Sequence, residues 1–570
     1  MSLLDWVILF GTLLLIAGYG AWKSRKQTSM DSYLLGNQSM PWWSVCLSIM
    51  ATQASAVTFL STPGQAFEDG MRFLQFYFGL PLAMIILSIS AVPLYHRLKV
   101  YTAYEYLEGR FDVKTRTLTA VFFLFLRGLS VGITVYAPSL ILSTILGWNI
   151  HLTTLLIGML VMIYTVSGGS QAVSLTQRYQ LTIIMFGMLM TGYIAYLGFA
   201  EHASFGQAFR LAGEMGKLNL ISLDFNLSDR YNIWSGLLGG LFLFLSYFGA
   251  DQSQVGRYLG GKSVGESRLG LIFNGLLKIP MQFVILYIGI LVFLFYQFQM
   301  PPAFHNQSVY TKALQSNQRD TILRKEAYVN SLFALKREKA RELASAIRVD
   351  DQSGIMDKRA EWRDLQDKEL GARTELKRSI SEAVPGAQVQ DKDYVFINFV
   401  MTHLPAGLVG FLLAVVFSAA MSSTASELTA LASTSMVDIY RRSISSNRTD
   451  IHYVKATRWF TVGWAVVAMI FASLANQAEN LIQFVNIVGS LFYGTILGIF
   501  LSAFYIRYIK STAVFIGGLA GEATILYLYF FKRDMVAFLH YNYIGCIVVI
   551  LVALIWQFLE NSRMQQKSPA

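Results

Sequence analysis

The sequence predicts an all-α polytopic membrane protein, and three observations carry that prediction. Of 570 residues, 54% are hydrophobic and only 14% charged, with a mean hydropathy of +0.45. Apolar runs of about 20 residues, the length that crosses a bilayer, recur from end to end. Lys and Arg gather in alternate connections, the asymmetry that a cytoplasmic side imposes. That asymmetry accounts for the formal net charge of +11 without a nucleic-acid partner. Cys46 and Cys546 lie inside apolar runs, so no disulfide framework is implied. The seven histidines lack ligand spacing, and no nucleophile–base pair suggests an enzyme.

About thirteen spans are expected, near 3–23, 41–67, 72–95, 115–144, 150–168, 177–200, 232–254, 269–298, 397–436, 456–475, 480–507, 512–531 and 538–560. The first lacks a basic leader and is followed by Lys23, Arg25 and Lys26, so it reads as a retained span rather than a signal peptide. This orientation puts the N-terminus outside and the C-terminus in the cytoplasm of a cell (inner) membrane protein. Basic groups such as Arg97, Lys99, Arg257, Lys262, Arg441 and Arg442 then fall inside.

The second span is not lipid-like. Ser48, Thr52, Gln53, Ser55, Thr58, Ser61 and Thr62 interrupt it, and Pro63-Gly64 is expected to break its end. Polar groups at that depth must face protein or a water-filled cavity. Close helix packing through small residues is one reading; a substrate or ion path beside an interrupted helix is the other.

Span seven ends in SYFGADQSQVGRY, where Asp251 and Arg257 read as an interfacial ion pair or as groups meeting water. Residues 256–263, GRYLGGKS, match the Walker A pattern but follow a span instead of a strand, which excludes ATP as the energy source. Between spans eight and nine, residues 300–394 carry dense charge of both signs and two helix-forming runs separated by Asp350-Asp351-Gln352-Ser353-Gly354. A water-exposed helical hairpin is expected, either as a solvated spacer or as a docking surface for an extracytoplasmic protein partner. In 412–442, Ser418, Ser422, Ser426 and Thr429 recur about one turn apart. Hydroxyls and carbonyls suit a hard cation such as sodium. Glu427 lies one turn past Ser423, an intramembrane carboxylate of the kind that marks function.

Three separated motifs, ASAVTFLSTPGQAFEDG at 54–70, YTVSGGSQAV at 164–173 and the 412–442 segment ending MVDIYRR, resemble those of the sodium/solute symporters. The likeness is greatest to the iodide, monocarboxylate and multivitamin branch, while Gln483 resembles a glutamine of the sugar carriers. The resemblance implies an inverted five-plus-five helix repeat with a discontinuous first helix. The chain would then divide into 1–38, a first repeat at 39–200, a second at 232–299 and 395–507 around the 300–394 insert, and 508–570. It implies a sodium ion, and no other metal, at Ala51, Ala54, Ala419, Ser422 and Ser423. It implies a small-molecule substrate in the bilayer's middle at Gln53, Thr58, Tyr247 and Gln483. Where the family commonly carries Asp near sodium this chain has Gln177, a lost charge for which Glu427 is a candidate replacement. The function expected is sodium-coupled import of a small organic solute or anion by alternating access. The alternatives are a membrane sensor or scaffold that keeps the fold, and a sodium-coupled sugar carrier should the Gln483 likeness dominate.

Overall fold

The computed structural model describes residues 1–23, 38–386, 389–474 and 481–567. Within these, the side chains of 167–179 and of a few residues at helix ends are not described. Gln177 and much of the 164–173 motif therefore lie outside the described side chains. Among the described residues the elements are helices, and the one backbone bridge, Met40 to Gly261, belongs to no strand.

Nine helices among the described residues are long and apolar enough to cross a bilayer. Three shorter apolar helices, Leu3–Leu15, Ile150–Val166 and Ser235–Gly249, accompany them. Two differences from the expected spans stand out. The second and third are not separated by a loop, because a 3₁₀ stretch, Gly70–Gly79, joins them within one helical run, Ala56–Leu98. Helix also runs from the fifth expected span into the sixth, over Ile150–Leu197. Around the bundle, Ile89, Phe125, Ile163, Trp459, Ile470, Ile555 and Phe558 are exposed. An apolar belt of this kind faces lipid.

Two helices are interrupted. Trp42–Gln53 and Ala56–Asp69 are separated at Ala54 (φ −88°, ψ 68°) and the extended Ser55. Gly240–Gly249 and Gln252–Tyr258 are separated at Ala250 and Asp251. Ser55 and Asp251 hold the N-cap positions that Ser and Asp favour. The break does not fall at Pro63-Gly64, where the sequence suggested it. Helix continues through Pro63 to Asp69. Glycines make room there: a Cβ on Gly64 would lie 2.2 Å from the Lys392 carbonyl oxygen, and one on Gly289 would lie 2.3 Å from the Pro63 oxygen.

The helix Leu408–Thr434 is buried along almost its whole length and packs against both halves of the first interrupted helix. The N-terminal helix Leu3–Lys23 is fastened to its start, since Asp5 accepts the backbone N–H groups of Gly407 (2.7 Å) and Gly410 (2.9 Å). Its other end carries the MVDIYRR motif. There Asp438 accepts from Thr102 (2.9 Å) and from Arg116 Nε (2.8 Å), and Glu108 joins Arg116 to Arg442.

Arg319–Arg348 and Gln352–Ala383 form an antiparallel two-helix hairpin. Asp350 takes a left-handed conformation (φ 56°) at the reversal, and Asp351 caps the second helix by accepting from Gly354 N–H. Ile322, Val329, Leu376 and Ile380 form its apolar seam. The hairpin rests on the helix Phe205–Glu214 through Arg210–Asp350 (2.6 Å) and Arg359–Glu214 (3.0 Å).

Candidate functional site

The interrupted helices meet the long helices Val113–Leu146, Val264–Phe298 and Leu481–Tyr505 around a central cavity of about 110 Å³. Thr52, Gln53, Ser55 and Thr58 line it from the first break, Tyr247 from the second, and Asn486 and Tyr493 from Leu481–Tyr505. An engineered cavity of 150 Å³ holds benzene, so this space suits a solute of ring size or less.

Each break supplies polar backbone. With Ser55 extended, the last carbonyls of Trp42–Gln53, Ala51 among them, lose the N–H groups they would meet in an unbroken helix. One is recovered when Thr58 Oγ1 donates to the Gln53 carbonyl (3.2 Å). Gln53 Nε2 donates to Asn274 Oδ1 (2.9 Å), which fixes its amide against Val264–Phe298. Across the helix pair, Ser423 Oγ donates to the Ala419 carbonyl (2.9 Å), leaving its own lone pairs to accept. The hydroxyls of Ser418 and Ser422 are buried with no hydrogen-bond partner. Ala51, Ala54, Ala419, Ser422 and Ser423 are all buried.

The charged centre of the site is Arg127, which sequence reasoning missed. Its Nε donates to Asp251 (2.7 Å), its Nη1 to Glu427 (2.9 Å) and its Nη2 to the Tyr493 hydroxyl (2.7 Å). Tyr493 donates onward to Asp251 (2.9 Å), and Thr134 to Glu427 (3.2 Å). The cluster joins four elements that are far apart in the chain. Asp251 therefore pairs with Arg127, not with Arg257 as its own segment suggested. Glu427 stands where two roles meet: it lines the cavity and is bound to a guanidinium. Two carboxylates share one guanidinium, so one negative charge is in surplus.

Of the substrate positions expected, Gln53, Thr58 and Tyr247 line the cavity. Gln483 is buried but does not; Ile482, Val485 and Asn486 line it instead. Lys278 was also missed. The signal for both cations was available: each is a basic residue inside an apolar run, FFLFLRGLS and NGLLKIPMQF, and such residues are functional candidates by default. The Walker-like stretch has no phosphate-loop form, since Gly256 and Arg257 sit within the helix Gln252–Tyr258.

A sequence-family model described as the sodium:solute symporter family matches residues 33–335 and 374–521. The unmatched interval between them lies inside the hairpin. A sodium-dependent multivitamin transporter from Oryctolagus cuniculus is 31% identical over 304 residues, 52% of this chain and 46% of that one. A sodium/glucose cotransporter from Vibrio parahaemolyticus is 26% identical over 546 residues, 94% of this chain and 87% of that one. The chain thus spans less than half the length of some relatives and most of others. Among solved structures, a Na+-coupled sialic acid symporter in a substrate-bound outward-open state superimposes with a TM-score of 0.75 at 21% identity, covering 98% of both chains.

Proposed function

The chain belongs to the sodium:solute symporter family, and from that premise we propose that it imports a small organic solute or anion by sodium-coupled alternating access. The observation that carries this reading is the solute-sized cavity at the first helix break, flanked by a helix with unpartnered hydroxyls. Carbonyls of Ala51, Ala54 and Ala419 and hydroxyls of Ser422 and Ser423 are the sodium ligands we assign. Hard oxygen donors of low charge fit that ion. The surplus carboxylate of the Arg127 cluster supplies the negative field that Gln177 cannot, because Glu427 lies one turn past Ser423.

Thirteen crossings in an inverted five-plus-five repeat, the N-terminus outside and the hairpin extracytoplasmic, complete the proposal; the paired breaks at 54–55 and 250–251 support the repeat. Gln53, Thr58 and Tyr247 hold the solute. The relatives named for vitamins and glucose carry different cargoes, so kinship alone does not select the solute. Proteoliposomes offered labelled nicotinate, propionate, glucose and iodide test the reading. At least one should accumulate under an inward sodium gradient and not under potassium. No sodium-stimulated uptake, together with no binding of radiolabelled sodium to the purified protein, would overturn it.

A further inference from the structure

Among the described residues of the bundle, the buried carboxyls are answered, with one exception. Asp251 and Glu427 share Arg127, and Asp438 accepts from Thr102 and Arg116. Asp393 accepts the Leu481 N–H, and Asp5 accepts those of Gly407 and Gly410. The exception is Glu522, midway along the helix Ser511–Phe531 and only 6% exposed. Neither of its oxygens has a hydrogen-bond partner, and no cation stands beside it. The Thr495 hydroxyl comes near the carboxyl without completing a hydrogen bond, and it too is buried and unpartnered.

The surroundings decide what completes this pair. Ser511–Phe531 packs closely against Leu481–Tyr505 and Tyr541–Lys567. A Cβ on Gly521 would lie 2.5 Å from Val549 Cγ2, and one on Gly545 would lie 3.1 Å from Ile525 Cγ1 and 3.2 Å from the Thr495 nitrogen. Leu481–Tyr505 carries no charged residue, and Tyr541–Lys567 carries none before Glu560. Val113–Leu146 brings Leu118 to Gly518. Of the titratable groups on these helices, Tyr493 donates to Asp251 in the Arg127 cluster, and Cys546 is a buried thiol. A carboxylate here would be an unanswered charge among small and apolar groups, far costlier than a neutral acid. A hard cation would want several oxygens beyond the carboxyl, and one hydroxyl stands there. A proton is enough, because a carboxylic acid both donates and accepts, as a hydroxyl does, so the two groups can satisfy each other. We infer that Glu522 is a proton-binding site, a carboxylic acid held neutral behind the helix that carries Asn486 and Tyr493 into the central cavity. With the proton in place, Ser511–Phe531 can close on the back of that helix; an ionised Glu522 would oppose the contact.

Infrared spectra of the purified full-length protein at neutral pH test this without reference to uptake. The difference between wild type and Glu522→Gln should contain the carbonyl stretch of one carboxylic acid per chain and no carboxylate stretches. Gln copies the size and neutrality of the acid, so the thermal midpoint should hold and the radiolabelled sodium bound per chain should not change. Isotope-labelled glutamate separates a Glu acid band from an Asp one, so labelled wild type carries the test even where the variant does not fold. Carboxylate stretches in the difference spectrum, or no glutamic acid band in labelled wild type, overturn the assignment. One sodium fewer bound by Glu522→Gln also overturns it, in favour of a cation at the same carboxyl.

Discussion

Two buried ion clusters in this molecule are mirror images in charge. In the bundle, one guanidinium, Arg127, is shared by Asp251 and Glu427; in the hairpin, one carboxylate, Glu369, is shared by Lys336 and Arg373 (2.8 Å). The hairpin's surplus positive charge borders a chamber of about 700 Å³ between hairpin and bundle, lined by charges of both signs. Water and neighbouring ions screen a surplus there. The surplus of the bundle cluster faces the small central cavity, where a charge is felt much more strongly. The same chemistry therefore braces a surface module in one place and lines the central cavity, beside Lys278, in the other.

Arg127→Met is the severest way to break that contrast. It strands two buried carboxylates, a change that costs about 3–5 kcal/mol, so the thermal midpoint should fall sharply and uptake should cease. Adding Asp251→Asn and Glu427→Gln should restore much of the midpoint while leaving sodium affinity low. An unshifted midpoint in the single variant would place the stabilisation elsewhere.

Acid should act next most strongly, on the hairpin side. His305 is buried, its Nδ1 has no partner, and its backbone N–H donates to Asp391 (2.8 Å). Burial pushes its pKa down to about 4, opposed by Asp391 and reinforced by Arg373 and Lys377. The folded state thus favours the neutral ring. That contribution is complete above about pH 6.5 and is lost as pH falls from there toward 4, by up to about 3 kcal/mol. Limited proteolysis of the hairpin should speed up across that window, and His305→Gln should flatten the response.

Removing a single hydroxyl at the proposed ion site is a smaller change. Ser422→Ala takes away a hydroxyl that has no protein partner, so stability should hardly move. The sodium concentration for half-maximal uptake should rise roughly tenfold, the effect of about 1–2 kcal/mol. Equal sodium dependence in variant and wild type would remove Ser422 from the ion site. Smallest of all should be the effect on coupling of replacing 308–388 with a short Gly/Ser linker. Sodium-driven uptake should remain measurable, and its complete loss in correctly inserted protein would make the hairpin part of the gate.

The two regions also differ in how much of them was readable from the chain. The hairpin's charges recur within a few turns, and Arg373 lies four residues after Glu369, so local periodicity carries them. The bundle's partners stand 124, 300 and 366 residues from Arg127, and only the fold brings them together. All-helical character and family membership were legible in apolar runs and short motifs. The location of the first break was misleading. Pro63 looks like the stronger breaker, but Gly64 and Gly289 let neighbouring backbone close around it, and the chain departs from helix at Ala54. Gln483 and Asn486 lie about one turn apart on one helix, and the choice between them depends on helix rotation, which sequence does not fix.

If sodium and solute are coupled through the cavity at the broken helix, uptake must follow the sodium gradient. Uptake of the solute found in the proteoliposome panel is followed while external sodium is varied, first against sodium-free vesicles and then against vesicles loaded to equal sodium. Coupling predicts accumulation above equilibrium in the first case and simple equilibration in the second, with solute in turn tightening sodium binding by the same factor. Entry at the same rate and to the same level with and without a sodium gradient would contradict it.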